Sequence, residues 1–182
     1  MQSLPKHLGG HGNKCHIDEG ILDFFIKEYH IDSFLDVGCS TGEMVELAGN
    51  KSLWSLGVDG DYTLSRACSF ILHDYTLESL VINQPFDLGW CVEFLEHVEE
   101  QYIPNFMETF KSVKYLVITH ALPEQAYGYH HVNCQSFDYW LDQFKQYGFT
   151  YEPELTNKIK KVSTMAGEFI QNTGRCFRNT HK

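Results

Sequence analysis

The feature that most constrains this chain is an apolar run that leads into two closely spaced glycines and then a helix-like segment. The run is Phe34–Val37, the glycines are Gly38 and Gly42, and a second apolar run ends at Asp59, about twenty residues further on. Small residues let the backbone approach a ligand closely, and a carboxylate at the end of the second strand can accept hydrogen bonds from ribose hydroxyls. This layout predicts a strand–turn–helix–strand unit that binds a nucleotide-type cofactor.

The glycine turn differs from the turn that binds dinucleotides. Where the G-x-G-x-x-G pattern has its second and third glycines, this chain has Ser40 and Glu43. Glu43 in the first helical turn, together with Asp36 before the turn, would repel a pyrophosphate. The turn therefore favours a cofactor with a positive ammonium and sulfonium, such as S-adenosylmethionine, over a nicotinamide dinucleotide.

Several further motifs appear in an order that resembles a known family. Asp36–Gly42 corresponds to a D-x-G-x-G-x-G loop with Ser40 at the central glycine, and Asp59 corresponds to a ribose-binding acid. His73–Thr76 corresponds to the segment after the third strand, Phe86–Cys91 to the fourth strand, and Glu93–Val98 to an E-x-x-E-H-V motif. Over roughly residues 34–149, the chain resembles class I S-adenosylmethionine-dependent methyltransferases, the broad group labelled methyltransferase type 11 or 12.

The resemblance implies one α/β domain over residues 1–182. Its sheet should be Rossmann-like and doubly wound, mostly parallel, with an antiparallel last strand inserted between the fifth and sixth. Residues 1–30 form an N-terminal lid and helix region in this prediction, and residues 31–182 form the cofactor-binding core. A chain of 182 residues is long enough for one such core.

The resemblance also implies a set of cofactor contacts. The methionine part should lie against Asp36, Gly38, Ser40, Gly42 and the backbone of Cys91. The ribose should bind Asp59, and the adenine amine should bind Asp74. Cys39, Gly60 and Tyr75 complete the predicted S-adenosylmethionine site.

Hydrophobic periodicity predicts the order of the elements. Asp18–Tyr29 should be a helix with Asp18 as its N-cap. Strands are predicted near 34–37, 54–58, 69–72, 86–91, 114–119 and 149–151, with a final strand over 169–177. Helices are predicted near 42–49, 62–68, 97–111, 136–147 and 154–166. Pro104 should make the helix over 97–111 start late or kink.

Two clusters of residues are candidates for catalysis. Glu93, Glu96 and His97 would share one face if they lay on a helix. With a distant histidine from the segment 127–133, they could bind Mg²⁺ or Mn²⁺, as in some small-RNA terminal methyltransferases with an E-x-x-E-H segment. Many metal-free methyltransferases carry the same motif. We therefore expect no divalent metal and assign the catalytic roles to His97 and His131, of which either could act as general base; purely structural hydrogen bonding is the alternative.

The N-terminal segment is rich in glycine and histidine. His7, Gly9, Gly10, His11, Asn13 and His16 belong either to a flexible end or to a lid that closes over the cofactor and the acceptor. Tyr127 and Tyr129 are candidates for the acceptor pocket, whereas the helical spacing of Trp140 favours core packing.

Composition narrows the classes of partner. A net charge of −10 argues against a nucleic-acid acceptor. The six scattered cysteines contain no C-x-x-C pair, which favours reduced thiols and a cytoplasmic protein. No signal peptide or membrane-spanning run is evident.

The sequence thus predicts a methyltransferase that acts on a small-molecule acceptor by O- or N-methylation, for example a sugar or metabolite. The alternatives are a non-catalytic S-adenosylmethionine-binding regulatory protein and a metal-assisted methyltransferase of RNA termini. The oligomeric state stays open at this level.

Overall fold

Seven strands form one mixed sheet in the computed structural model, which describes residues 4–10, 12 and 14–182. The strands are β1 (Ser33–Val37), β2 (Trp54–Asp59), β3 (Phe70–Leu72), β4 (Phe86–Cys91), β5 (Val113–Ile118), β6 (Phe149–Tyr151) and β7 (Arg175–Asn179). Their order is β3-β2-β1-β4-β5-β7-β6. Strands β1 to β5 are parallel, whereas β7 pairs antiparallel with both β5 and β6. The predicted insertion of the last strand is confirmed.

In the part of the chain that the structure describes, six α-helices cover both faces of the sheet. They are α1 (Glu19–Tyr29), α2 (Glu43–Asn50), α3 (Ile103–Phe110), α4 (Phe137–Gln146), α5 (Pro153–Val162) and α6 (Phe169–Thr173). Helices α3 and α4 supply Phe106 and Trp140 to one apolar cluster, and α1, α2 and α5 supply Phe25, Met44 and Ile159 to the other. Central strands buried on both faces need apolar residues at successive positions, which explains the near-continuous apolar runs in the sequence.

Helix α1 begins as the sequence predicted. The buried Asp18 carboxylate accepts a hydrogen bond from Ile21 N at 3.0 Å, which caps the helix. Asp18 also accepts from Thr164 N at 3.0 Å and from the Ser163 hydroxyl. The cap therefore ties the N-terminal part of the chain to the segment after α5.

Three predicted elements were wrong in type or extent. Residues 62–68 form no helix, because the chain turns around Asp61, whose carboxylate accepts from Thr63 N at 2.7 Å. The helix over 97–111 begins only at Ile103, with Pro104 in its first turn as expected. The last predicted strand is short, because Phe169–Thr173 is helical and β7 starts at Arg175.

Within the described residues, no helix has both the length and the apolar character that a membrane span requires.

Candidate functional site

Two adjoining chambers lie at the carboxyl ends of β1, β2 and β4, where ligands bind in sheets of this kind. We define the first chamber by residues of its wall: Gly38, Ser40, Asp59, Gly60, Asp74 and Phe94. The second chamber is defined by Lys14, His16, Asp36, Trp90, Tyr129 and His131. Gly38, Ser40, Glu93 and His97 line both chambers, so the two form one bent cleft.

The turn after β1 requires its glycines. Gly38 and Gly42 have φ angles of 81° and 90°, in the left-handed region. A Cβ on Gly38 would lie 2.7 Å from the Phe94 ring, and one on Gly42 would lie 2.5 Å from Cys68 Sγ. Ser40 adopts φ 48° although it is not glycine, so the turn carries local strain that its surroundings must offset.

Asp59 is held by several donors at the end of β2. Its Oδ2 accepts from Ser40 N at 2.8 Å, and its Oδ1 accepts from Asp61 N at 2.8 Å. Arg66 Nη2 donates to Oδ1 at 2.7 Å. The carboxylate is therefore fixed against the glycine turn, in the wall of the first chamber.

Asp74 forms the other carboxylate of the first chamber. Its Oδ1 accepts from Thr76 N at 2.8 Å and from the Thr76 hydroxyl at 2.7 Å, and its Oδ2 lies 2.9 Å from His7 Nε2. Burial acts to raise the pKa of Asp74, but hydrogen bonds from His7 and Thr76 outweigh it and lower that pKa. Asp74 is thus an ionised acceptor.

Described residues of the N-terminal segment line both chambers. His7, Leu8 and Gly9 line the first chamber, and residues 14–16 line the second. Between them Gly10 packs on Tyr129, since a Cβ there would lie 2.6 Å from the tyrosine ring. His11 and Asn13, which the sequence analysis included in this segment, lie outside the described residues.

Buried acidic and thiol groups surround the glycine turn. Burial, and then the neighbouring Asp59, raises the pKa of Asp36 well above its usual range. Burial likewise raises the pKa of the Cys39 and Cys91 thiols, with Asp36 as the next cause in both. Cys15, in the second chamber, has its pKa raised to about 12, mainly by burial.

Glu93 stands at the junction of the chambers with an unusual backbone conformation. Its φ is 53°, and it lies outside any helix, so the predicted shared helical face with Glu96 and His97 was wrong. Only Leu95–His97 forms a short 3₁₀ turn. The Thr119 hydroxyl accepts from Glu93 N at 2.8 Å and donates to Glu93 Oε1 at 2.9 Å, which orients this side chain.

Glu96, His97 and His131 converge beside the second chamber, although they come from two separate segments. One ligating atom from each lies within 4.8 Å of the others. The carbonyl of Glu96 accepts from Val132 N at 2.9 Å and from Asn133 N at 3.1 Å, which brings the two segments together. The rings of His97 and His131 lie edge to face, with centroids 4.9 Å apart.

This cluster contains buried polar atoms without a hydrogen bond of standard geometry, although the carboxyl groups of Glu93 and Glu96 lie close enough to interact. Both carboxylate oxygens of the fully buried Glu96, and Nδ1 of His97, have no hydrogen bond of standard geometry to a described residue. Burial, and then Glu93, raises the pKa of Glu96 well above its usual range. Burial, and then His131 and His130, lowers the pKa of His97 to about 4.

The structure brings most of the predicted site residues together. Gly38, Ser40, Asp59, Gly60, Asp74, Tyr75 and His97 line the first chamber, and Asp36, His97 and His131 line the second. Cys39, Gly42 and Cys91 line neither; Cys91 O accepts from Thr119 N at 3.1 Å. Tyr129 lines the second chamber, Trp140 is fully buried in the core, and Tyr127 is exposed.

Among the residues that sequence reasoning missed are Lys14, which lines the second chamber, and three residues that hydrogen-bond to the site: Arg66, Thr76 and Thr119. Thr76 carried a local signal, since a threonine two residues after an aspartate often hydrogen-bonds its carboxylate. Arg66 and Thr119 reach the site across 26 residues of sequence each, to Ser40 and Glu93 respectively, and no local pattern reports such contacts.

Comparisons with known proteins identify the fold. No family model matches the sequence, and no curated protein matches it. Among solved structures, magnesium protoporphyrin IX methyltransferase (ChlM) from Synechocystis PCC 6803 with bound S-adenosylmethionine has a TM-score of 0.58 at 12% identity, over 86% of this chain and 74% of that one.

Two further structures give similar values. The methyltransferase domain of bacterial CtHen1-CN has a TM-score of 0.58 at 14% identity, over 87% of this chain and 94% of that one. The N-methyltransferase NodS from Bradyrhizobium japonicum WM9, in complex with S-adenosylhomocysteine, has a TM-score of 0.55 at 17% identity, over 87% and 83%. With its inserted antiparallel strand and its cleft at the strand ends, this chain has the class I S-adenosylmethionine-dependent methyltransferase fold that its motifs predicted.

Proposed function

We propose that this protein is an S-adenosylmethionine-dependent methyltransferase that methylates a small-molecule acceptor. The observation that carries the proposal is the bent cleft, in which the glycine turn meets two ionisable carboxylates at the ends of neighbouring strands. Asp59 would accept from the ribose hydroxyls and Asp74 from the adenine amine. The methionine part would lie along Gly38 and Ser40 towards Asp36.

The charge of the walls supports this cofactor. Asp59 and Asp74 line the first chamber as hydrogen-bonded carboxylates, and a ligand with two phosphates would meet repulsion there. A ligand with a sulfonium and an ammonium would be attracted. The carboxylate of the methionine part needs a cation, and Lys14 in the wall of the second chamber can supply one.

The part of the second chamber around Trp90, Tyr129 and His131 would hold the acceptor, next to the methionine part of the cofactor. When bound, the cofactor supplies an electrophilic methyl group for an in-line displacement. The chain's own residues orient the reactants, exclude water and take up the acceptor proton. We assign proton removal to His97 or His131, because both line this chamber. The N-terminal segment would act as a lid, since its residues 7–10 and 14–16 line the cleft.

A small acceptor fits the cleft better than a nucleic acid does. The second chamber is lined by Trp90, Tyr129 and residues 14–16, and the chain carries a net charge of −10. Nucleic-acid surfaces are normally basic. The name of ChlM also refers to a small-molecule substrate, magnesium protoporphyrin IX.

Calorimetric titration of the purified protein with S-adenosylmethionine, S-adenosylhomocysteine and NAD tests the proposal. We expect binding of the first two and not of NAD. Incubation with methyl-labelled cofactor and pooled metabolites should then label a small molecule. Absence of cofactor binding would refute the proposal, whereas binding without transfer to any acceptor would favour a regulatory protein.

A second candidate is a metal-assisted methyltransferase, as in the terminal methylation of small RNAs. The unpartnered oxygens of Glu96, together with the convergence of Glu96, His97 and His131, favour it. One carboxylate and two imidazoles suit Mn²⁺ better than Mg²⁺, which prefers oxygen ligands. Titration of Mn²⁺ followed by electron paramagnetic resonance should then show one site that Glu96→Gln abolishes and the exposed Glu154→Gln preserves. Equal spectra for all three proteins would exclude this candidate.

A further inference from the structure

Arg66 organises the loop between β2 and β3, where the predicted helix is missing. Its side chain is 0% exposed. Nη2 donates to Asp59 Oδ1 at 2.7 Å, Nη1 donates to Asp61 O at 3.0 Å, and Nε donates to Ser40 O. A planar guanidinium can serve three acceptors at fixed directions, which an ammonium cannot do.

These contacts close a ring of three residues. Ser40 N donates to Asp59, Asp59 accepts from Arg66, and Arg66 donates back to the carbonyl of Ser40. The ring joins the glycine turn after β1 to the carboxylate at the end of β2. Both groups face the first chamber, whereas Arg66 is not among the residues that line it.

The ring counters two unfavourable features of the turn. Ser40 holds a left-handed φ of 48° at the position where the family pattern has glycine. Asp59 also lies near a second carboxylate, Asp36, which is almost fully buried. A buried cation bonded to both Ser40 and Asp59 stabilises the strained turn and offsets the repulsion between the carboxylates. The Phe70 ring, 4.8 Å from the guanidinium carbon, closes the far side.

We infer that Arg66 is a positioning residue for the cofactor: it holds the Asp59 carboxylate in the orientation that accepts the ribose hydroxyls. This inference rests on the proposed function, because it assumes that Asp59 binds the ribose of an adenosyl cofactor. It predicts that Arg66 affects recognition of the ribose in particular, without touching the ligand.

The test compares S-adenosylhomocysteine with its 2′-deoxyribose analogue by calorimetric titration of the wild type and of Arg66→Met. In the wild type, loss of a hydroxyl bonded to a carboxylate should weaken binding about tenfold or more. In Arg66→Met, binding of S-adenosylhomocysteine should fall by a similar factor, and the preference over the deoxy analogue should shrink to about twofold.

Two further variants separate this role from a general effect on folding. Arg66→Lys keeps the positive charge without the planar fork, so it should remain folded and still lose most of the ribose preference. Arg178→Met removes an exposed arginine that pairs with Glu152 on the far side of the sheet, and it should retain wild-type binding.

The outcomes are distinct. Equal weakening of both ligands in the Arg66 variants would make Arg66 merely structural and overturn the inference. Tighter binding of S-adenosylhomocysteine to the Arg66 variants would show that Arg66 competes with the ribose for Asp59. That result would also overturn the inference. No binding of S-adenosylhomocysteine to the wild type would refute the proposed function itself, and the inference would fall with it.

Discussion

The two chambers of the cleft differ in how completely their polar groups are paired. In the first chamber, Asp59 and Asp74 each accept several hydrogen bonds at 2.7–2.9 Å. Beside the second chamber, both carboxylate oxygens of Glu96 have no partner of standard geometry among the described residues, and the same holds for Ser40 Oγ and His97 Nδ1 where the two chambers meet. Unpaired buried polar groups are costly and are rare outside functional sites.

The first chamber is therefore preorganised, whereas the groups beside the second chamber have unused hydrogen-bonding capacity. Carboxylate acceptors that protein donors already hold in place allow a constant ligand to bind without rearrangement, which suits a cofactor. Unpaired groups are satisfied only when a ligand brings donors or a positive charge of its own, which suits an acceptor or a metal ion. We therefore expect substitutions at these two sets of groups to have opposite effects on stability.

The largest effect is expected from Asp59→Ala in the first chamber. Removal of this carboxylate leaves Arg66 buried without its charged partner, so affinity for S-adenosylhomocysteine should fall at least about a hundredfold and the melting temperature should drop. Calorimetric titration and thermal unfolding measure both. Asp142→Ala, an exposed carboxylate on α4, is the matched control and should change neither. Unchanged affinity in Asp59→Ala would show that the first chamber is not the ribose site.

The next effect concerns the pH dependence of stability and His120, which is 1% exposed and lines a separate pocket that also contains Glu93. Burial lowers its pKa to about 4, so the unfolded chain binds a proton more readily than the folded protein below about pH 6.5. His120 therefore lowers stability as pH falls from 6.5 to 4, by up to about 1.4 kcal/mol per pH unit. Urea unfolding across this range should show a shallower pH dependence for His120→Asn. If the free energy of unfolding depended on pH equally in both proteins, the lowered pKa would not belong to His120.

Glu96→Gln is expected to raise the free energy of unfolding rather than lower it. Because the folded pKa of Glu96 is raised, the wild type must take up a proton on folding above about pH 4.5, and this cost grows as pH rises. The amide removes that cost, so the variant should be more stable than the wild type at pH 8 by about 1 kcal/mol, and less so at pH 5. Urea unfolding at both values measures it, with Glu154→Gln as control. A loss of stability at pH 8 would place Glu96 in a paired network like that of Asp59.

The smallest effect is expected from His7→Ala. The pair with Asp74 is partly exposed, with side-chain exposures of 23% and 17%, so it contributes modestly. Affinity for S-adenosylhomocysteine should fall about threefold, which corresponds to roughly 0.6 kcal/mol. Lys6→Ala, a neighbouring exposed residue that lines neither chamber, should have no effect. An increase in affinity for His7→Ala would mean that His7 competes with the adenine for Asp74.

The sequence predicted the parallel strands and the glycine turn well for a physical reason. Strands β1, β4 and β5 are mostly buried on both faces, so their apolar runs are nearly continuous and easy to recognise, with one charged residue each: Asp36, Asp87 and Lys114. Gly38 and Gly42 occupy positive φ values that favour glycine strongly, so their spacing carried structural information. The residue types within each of these elements were therefore enough to predict it.

The parts that failed depend on contacts between distant residues. Residues 62–68 have composition compatible with a helix, but the carboxylate turn at Asp61 and the long-range bonds of Arg66 hold them in a loop. The sequence predicted His97 and His131 as separate candidates. The hydrogen bonds from Val132 N and Asn133 N to Glu96 O bring their two segments together. The strain at Glu93, fixed by Thr119, likewise has no signature in the sequence.

The thiols around the glycine turn bear on a side reaction that any methylating enzyme must avoid. A sulfonium methyl donor is an alkylating agent, and a thiolate is a strong nucleophile toward such agents. Cys39 lies in the turn, and Cys15 lines the second chamber. Burial raises the pKa of both and keeps them as neutral thiols at neutral pH. The proposed site can therefore carry sulfur beside its methyl donor without methylating itself.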